Sequence, residues 1–330
     1  MNTIFNKKAG LQLFAEVQTT QGLSAEMQTF YDMTLIDEAG ANLIHEQFGQ
    51  KRPIPQGGGK HIQFRKFTAL PKATEPLTEG VTPDGKSLNV SIVEADVKQY
   101  GDFITQSDLL ELTAVDNTIL EATKLLGRQA GATLDTVVRD ILQAGTNVTY
   151  CPKVENGVET EITSRDDLGQ NCQLTVDVVM QVVAKLRAQN APTINGKYVA
   201  IIHPYAAYDL MRDPEWVSAH KYADPEALFE GEIGEIAGVR FVQTTEAKIY
   251  PGGIFATLFL GADAYGITEV TGGGLQTIVK QKGSSGTADP LDQRSSVGWK
   301  AIRTAERLIE NYIVRVESYS NRFSESAQVN

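Results

Sequence analysis

The amino-acid sequence predicts an α+β fold, in which helices and strands are mixed without the regular β-α-β order of a doubly wound sheet. Two observations carry this prediction. Apolar residues recur at a nearly helical period over residues 109–141. Short apolar runs bounded by turn residues, such as residues 198–202, are typical of buried strands. At 330 residues the chain can form one large domain or two modest ones.

The first hundred residues are predicted to form an arm and an extended hairpin. Residues 1–50 are mostly polar with scattered apolar side chains, apart from a helical stripe over residues 27–39. Residues 51–102 are rich in proline and glycine, and apolar and polar residues alternate around Ile62 and Val90. The pattern predicts two strands joined by a long loop. Because this hairpin has few large apolar residues, we expect it to need a partner surface.

A long helix is predicted next. Ser107 and Asp108 can cap its start, and Gly145 is a typical stop signal after its end. Asp116 is expected to divide the segment into a short helix and a longer one. A helix over residues 116–143 would be about 40 Å long, well above the average length.

The rest of the chain is predicted to mix short helices and strands. Thr175 is expected to cap a helix, Asn195-Gly196 to form a tight turn, and Pro204 to start another helix. The remaining predictions are strands at residues 239–243, 254–260 and 275–280, a Gly/Ser-rich loop at 283–296, a helix or strand from 297 to 308, and an alternating strand at 312–317.

Charge and cysteine content exclude several classes of protein. The net charge of −11 argues against a protein that grips nucleic-acid phosphates tightly. Cys151 and Cys172 have neither the spacing nor the histidine partners of a metal site, and we expect two ordinary thiols of a cytosolic chain. The N-terminal apolar stretch is too short and polar for a secretion signal, and no apolar run is long enough to span a membrane.

No catalytic motif is recognisable. His45-Glu46 would need a second histidine at the position of Gly49 to form a zinc-protease motif. Gly57–Gly59 followed by Lys60 lacks the spacing and the Ser or Thr of a phosphate-binding loop. His203, which precedes Pro204, is expected to pack or cap a helix. We therefore predict no catalytic residue, no cofactor, no metal and no enzymatic activity.

Several blocks of sequence resemble one protein family in their order and spacing. The blocks are Leu11–Glu16, Gly196–Val199, His203-Pro204, Asp209-Leu210, Asp289–Arg294, Val297–Ala301 and Ile313–Glu317. Together they resemble the major capsid proteins of tailed bacteriophages, of the HK97-type fold and the podovirus type. The resemblance covers the chain from about residue 25 to residue 318.

The resemblance implies an architecture and a function. Residues 1–50 would be an N-terminal arm, 51–102 an extended loop across a neighbouring subunit, 103–146 plus 301–330 a peripheral domain with the spine helix, and 147–300 an axial domain. Copies would assemble into an icosahedral shell of pentamers and hexamers around double-stranded DNA. The implied location is the virion capsid, assembled in the host cytoplasm.

The resemblance also suggests partners and contact residues. The arm is too short for a cleaved scaffolding segment, so a separate scaffolding protein is expected, besides a portal protein and a candidate decoration protein. The predicted inter-subunit contact residues are Lys51, Arg52, Lys60, Arg65, Lys66, Asp289, Asp292, Arg294 and Trp299. We expect the loop at 283–296 to become ordered when subunits meet, and Trp299 to pack in the core or an interface.

Two alternatives stay open at this point. An encapsulin-type compartment shares the implied fold and would hold cargo protein in place of DNA. An unrecognised soluble enzyme is the alternative of a different class.

Overall fold

The structure is a computed structural model that describes residues 25–40, 42–55, 59–67, 70, 72–74, 76, 79–80, 85–113, 118–223, 234–284 and 289–330. Its α-helices are α1 (Ala25–Gly40), α2 (Asp108–Thr113), α3 (Thr118–Gln143), α4 (Val176–Ala188), α5 (Pro204–Met211) and α6 (Pro214–Ala223). Its strands are β1 (Gln50–Lys51), β2 (His61–Phe67), β3 (Val90–Asp96), β4 (Lys98–Ser107), β5 (Val148–Tyr150), β6 (Lys153–Glu155), β7 (Val158–Thr160), β8 (Tyr198–Ile202), β9 (Glu235–Ile236), β10 (Val239–Gln243), β11 (Ile249–Tyr250), β12 (Ile254–Leu260), β13 (Tyr265–Glu269), β14 (Gln276–Lys280), β15 (Arg294–Arg307) and β16 (Ile313–Tyr319). This mixture confirms the α+β class.

One sheet is built around the long strand β15 and is here called the spine sheet. β4 pairs along one edge of β15, and β14 and β13 follow one another along its other edge, all antiparallel. β1 adds to β13 in parallel. The face of β15 that carries Val297, Trp299 and Ala301 packs on α3, where it meets Leu126, Ala130 and Leu134. The 26-residue helix α3 therefore covers the inner face of this sheet.

A second sheet, the large sheet, has the strand order β5-β16-β12-β8-β10-β9. Its central strand β12 is buried at every position and pairs with β16 on one side and β8 on the other. Helices α4 and α5 pack on it through buried valines, leucines and alanines. A smaller cluster, which includes Leu142, Leu258 and Ala305, joins the end of α3 to both sheets.

Local signals read from the sequence account for several of these elements. Thr175 caps α4 by accepting a hydrogen bond from the backbone of Val178, as predicted. Asn195 and Gly196 both have positive φ in the turn before β8, as a tight turn there requires. The strands predicted at residues 239–243 and 254–260 are confirmed residue for residue. The predicted arm at residues 1–24 and the predicted break at Asp116 lie outside the described residues.

The region near residue 300 differs from its prediction. The sequence predicted a loop up to residue 296 and a helix or strand afterwards, whereas β15 is one strand of 14 residues that begins at Arg294. Ser295 and Ser296 have loop-like chemistry, yet they pair with Gln106 and Thr105 of β4. The loop prediction was wrong there because cross-strand pairing outweighs local composition.

The predicted division into domains stays a prediction, and the sheets do not follow its boundaries. The boundary at residue 102 falls inside β4. β16, which was assigned with the spine helix, belongs to the large sheet, while β13 and β14, which were assigned to the axial domain, belong to the spine sheet.

Candidate subunit interfaces

The extended hairpin forms as the sequence predicted. β2 and β3 pair over seven residues, from His61 opposite Asp96 to Phe67 opposite Val90, in a sheet of their own. The His61 ring and the Asp96 carboxylate also form an exposed hydrogen bond at the base of the hairpin. An isolated two-stranded ribbon is at best marginally stable in water.

The base of the hairpin is packed on the subunit, and one aromatic side chain has a large part in this. Phe64 is buried, and its ring lies so close to Gly266 of β13 that a Cβ atom there would be 2.5 Å from it. Glycine is therefore required at this position. Farther along the hairpin the apolar side chains of Leu88, Val90 and Ile92 are exposed. The hairpin is anchored at its base and leaves apolar surface uncovered beyond it.

The outer face of the spine sheet also carries uncovered apolar surface. Phe103 of β4, Gly298 of β15 and Ile278 of β14 are directly opposite one another across three strands. A Cβ atom on Gly298 would lie 2.7 Å from the Cβ atom of Phe103, so only glycine allows this row. The result is an open groove of about 370 Å³ beside Phe103, which is 67% exposed.

The predicted basic contact residues surround the base of the hairpin. Lys51, Arg52, Lys60 and Arg65 are exposed, and the guanidinium of Arg52 lies 5.8 Å from the centre of the Phe64 ring. Lys66 lies in β2, but its side chain is not among those that the structure describes. The structure brings these residues into one region and does not show what they contact.

The other four predicted contact residues form an exposed pair and a buried pair. Asp292 and Arg294 are exposed. Asp289 is 6% exposed and accepts a hydrogen bond of 2.7 Å from the backbone of Arg294. Trp299 is 3% exposed and donates to Gln129 of α3 at 3.3 Å. Asp289 and Trp299 therefore serve the subunit's own fold, which agrees with the core packing expected for Trp299, and their role as contact residues stays a prediction.

Buried polar pairs, which sequence reasoning missed, hold the segment before the hairpin in place. One carboxylate, Asp135 of α3, accepts from both the backbone and the ring of His45, at 2.7 Å and 2.6 Å. The Tyr265 hydroxyl donates to the carbonyl of His45, and burial raises the pKa of Tyr265. Glu46 pairs with Arg303 of β15. The dipeptide His45-Glu46 was visible in the sequence, but its partners lie too far along the chain to be recognised.

A second buried network joins the large sheet to the end of α3. Glu317 of β16 is fully buried and accepts two hydrogen bonds of 2.6 Å from Arg165 and one of 2.8 Å from Arg315. Arg315 also donates to the carbonyls of Gln143 and Gly145, the last of these at 3.1 Å. It thereby satisfies carbonyl groups at the C-terminus of the helix. The hydrogen bonds to Glu317 raise the pKa of Arg165.

The described residues show no cluster of side chains with the composition of a metal site. Within the same residues, no helix has the length and apolar character needed to cross a membrane. Cys151 and Cys172 are both buried as free thiols, and burial raises the pKa of Cys151. The features that suit an interface are the exposed apolar side chains of the hairpin and of the outer face of the spine sheet.

The chain is similar to phage capsid proteins both in its sequence pattern and in its structure. The sequence pattern of the family described as "Phage capsid protein" matches residues 10–282. No curated protein matches the chain. The capsid structure of the cyanophage P-SCSP1u is similar at 14% identity and a TM-score of 0.63, with 92% of each chain covered. The capsid of Ralstonia phage GP4 is similar at 13% identity and a TM-score of 0.62, with 97% of this chain and 99% of that chain covered.

A virus-like particle from Pyrococcus furiosus is also similar in structure. It has 10% identity and a TM-score of 0.51, with 88% of this chain and 99% of that chain covered. At such identities these likenesses show the fold alone. The family pattern carries more weight, because it matches most of this sequence.

Proposed function

Because this chain belongs to the phage capsid protein family, we propose that it is the major capsid protein of a tailed phage, whose copies close into an icosahedral shell of pentamers and hexamers around double-stranded DNA. The single observation that carries the proposal is the match of the family over residues 10–282. The HK97-type fold expected from the sequence agrees with the phage capsids of similar structure.

The surfaces of the isolated subunit support assembly. The hairpin β2–β3 exposes Val90 and Ile92, and the spine sheet exposes Phe103 and Ile278. Covering apolar surface is worth about 25 cal/mol per Å². We propose that the hairpin of one copy lies on a neighbouring copy, where both sets of side chains lose contact with water.

Charge supports the same arrangement. Lys51, Arg52, Lys60 and Arg65 are exposed near the hairpin base, on a chain whose net charge is −11. A basic segment that reaches an acidic neighbour is steered into register, although each exposed ion pair adds only about 0–1 kcal/mol. Lys66 is proposed to take part as well. Repetition through a symmetric shell makes such weak contacts effective.

Further parts of the proposal follow from the sequence. We propose residues 1–50 as the arm, residues 51–102 as the extended loop, and the peripheral and axial domains as divided above. The proposed partners are a separate scaffolding protein, a portal protein and a decoration protein, with assembly in the host cytoplasm. The subunit is proposed to need no cofactor and to catalyse no reaction.

The first experiment is assembly of the full chain, expressed alone and with candidate scaffolding proteins, and followed by light scattering and negative-stain microscopy. Closed shells, or rings of five and six subunits, are the expected products. A compact dimer or tetramer that never assembles under any of these conditions would contradict the proposal and favour a soluble enzyme, for which an activity screen would then be the test.

A deletion tests the role of the hairpin. Removing residues 57–85 takes away β2 and the loop and should leave a subunit that folds but does not form shells. Circular dichroism reports folding and microscopy reports assembly. Normal shells from this variant would exclude the proposed reach over a neighbour.

The contents of purified shells separate a capsid from a compartment. The Pyrococcus furiosus particle keeps the encapsulin-type alternative in view, since its fold is similar. Shells isolated from phage-infected cells should contain double-stranded DNA. Capture of a cargo protein through a short peptide, with no DNA inside, would favour the compartment.

A further inference from the structure

Four exposed leucines belong to two segments that leave one end of the spine sheet side by side. Leu109, Leu110 and Leu112 belong to the short helix α2, and Leu291 belongs to the turn before β15. Leu112 is 78% exposed and Leu291 is 75% exposed. We call these four side chains the leucine patch. Single exposed leucines are ordinary on a protein surface, but four on two adjacent segments point to an interaction site.

The two segments of the leucine patch are held beside each other by backbone pairing. Ser107, the last residue of β4, is opposite Arg294, the first residue of β15. The next residue, Asp108, donates its backbone N–H to the carbonyl of Gln293 at 2.9 Å. Helix α2 and the turn therefore leave the sheet at the same place.

The turn has a defined shape within the single subunit. Asp289 accepts the backbone N–H of Asp292 on its carbonyl at 3.1 Å and that of Arg294 on its carboxylate at 2.7 Å. Asp292 has a φ of 51°, a left-handed conformation that Asp tolerates in turns. Hydrogen bonds within one subunit therefore hold the turn closed with Leu291 exposed. A partner that binds there does not have to order the turn first.

The size of the leucine patch suits a contact that is weak by itself. Each leucine side chain offers roughly 100 Å² of apolar surface to a partner. Four leucines then present roughly 400 Å², whereas a stable interface buries about 800 Å² on each partner. A patch of this size should not hold a dimer together alone. It fits one of several contacts that a closed assembly makes at once.

Charge indicates the kind of partner. Asp292 and Arg294 stand two residues apart, next to Leu291 in the sequence, and both are exposed. A partner of a single charge would repel one of them. A second copy of the same patch, rotated about an axis, can set each Asp292 against an Arg294.

We propose that the leucine patch is a self-contact surface, covered in the assembled shell by the leucine patch of a second copy, with Asp292 of one copy paired to Arg294 of the next. This inference rests on the proposed shell function. It goes beyond that function by naming a second contact, separate from the hairpin, and its partner surface.

Charge reversal within one chain tests the self-contact directly. Asp292→Arg alone and Arg294→Asp alone should each raise the subunit concentration needed for assembly about tenfold, because like charges then meet. The chain that carries both changes should assemble within about twofold of wild type, since each copy again supplies both signs. A double variant no better than the singles would overturn the proposed pairing.

Leucine replacement tests the apolar part. Leu112→Ser combined with Leu291→Ser should raise the assembly concentration about tenfold, whereas Val158→Ser, a matched exposed site on the separate hairpin β6–β7, should not change it. The melting temperature of the unassembled subunit should be unchanged in both variants, because these side chains are exposed. Assembly of the leucine variant at the wild-type concentration would overturn this inference and leave the shell function intact, whereas a wild-type chain that never assembles would overturn both.

Discussion

At the scale of single residues, the fully buried carboxylate of Glu317 should be highly sensitive to substitution. It accepts from two arginines, and one of them, Arg315, also holds the end of α3. Glu317→Gln would leave two guanidiniums without their countercharge. Removing one partner of a buried ion pair typically costs about 3–5 kcal/mol. We expect a loss of that size in the free energy of unfolding, measured by urea denaturation of the unassembled subunit.

The matched control is the same change at an exposed site. Glu155 pairs with Lys153 at 2.7 Å, with both side chains largely in solvent. Glu155→Gln should change the free energy of unfolding by at most about 1 kcal/mol. Equal effects of the two substitutions would show that the buried network does not join the large sheet to α3 in the way described.

His203 gives a pH dependence at the same scale. It caps α5 by accepting the backbone N–H of Tyr205 at 3.2 Å, and its ring stacks on Phe255. Burial lowers the pKa of His203 from about 6.5 to about 4. Because the unfolded chain binds this proton more readily, the associated stability is complete above pH 6.5 and is lost as the pH falls through 4.

The test is His203→Asn, which keeps a good capping residue and removes the titrating ring. The difference in unfolding free energy between wild type and variant should shrink by up to about 3 kcal/mol between pH 7 and pH 4. A difference that stays constant over this range would show that the folded subunit and the unfolded chain bind a proton on His203 equally readily. The sequence predicted packing or capping for this residue, and the structure confirms both.

At the scale of elements, the packing of α1 on α3 depends on two glycines one helical turn apart. A Cβ atom on Gly131 would lie 2.5 Å from the carbonyl oxygen of Ala39, and one on Gly127 would lie 2.9 Å from that of Leu35. Gly131→Ala should therefore destabilise the subunit by about 1–3 kcal/mol, although alanine is the better helix former. Thermal or urea unfolding measures the change.

Gly40 provides the control for this prediction. It is the last residue of α1, and a Cβ atom there would meet nothing within 4 Å. Gly40→Ala should be neutral or stabilising, because only the helix propensity changes. If both glycines respond alike to substitution by alanine, the close approach of α1 to α3 is not what limits the Gly131 position.

At the scale of the whole molecule, local stability should differ sharply between the hairpin and the large sheet. β2 and β3 pair only with each other and expose most of their side chains, whereas β12 is buried throughout between two partner strands. In the free subunit the amides of β2 and β3 should exchange with solvent much faster than those of β12. In assembled shells the hairpin amides should become protected, since binding stabilises the structure that binds.

Hydrogen exchange measured by mass spectrometry on subunits and shells checks this prediction. β12 serves as the internal reference, because it should be slow in both states. Hairpin amides that remain equally fast in shells would mean that no neighbour covers them.

The sequence by itself determined the fold class, the family and the bounds of several elements. These depend on local signals: the cap at Thr175, the turn at Asn195-Gly196 and the apolar period of α3. Such signals involve neighbours along the chain, so they can be read without knowing the fold.

Only the tertiary structure decided which residues are buried and which face outward. Trp299, expected in the core or an interface, and Asp289 are buried within the subunit, because β15 is one long strand packed on α3 and the turn before it is closed by its own hydrogen bonds. His45 finds Asp135 across 90 positions of the chain. The leucines of α2, which continue the apolar pattern of a core helix, are exposed. Periodicity marks an apolar face, but the surface that covers it is set by contacts between distant segments or between copies of the chain.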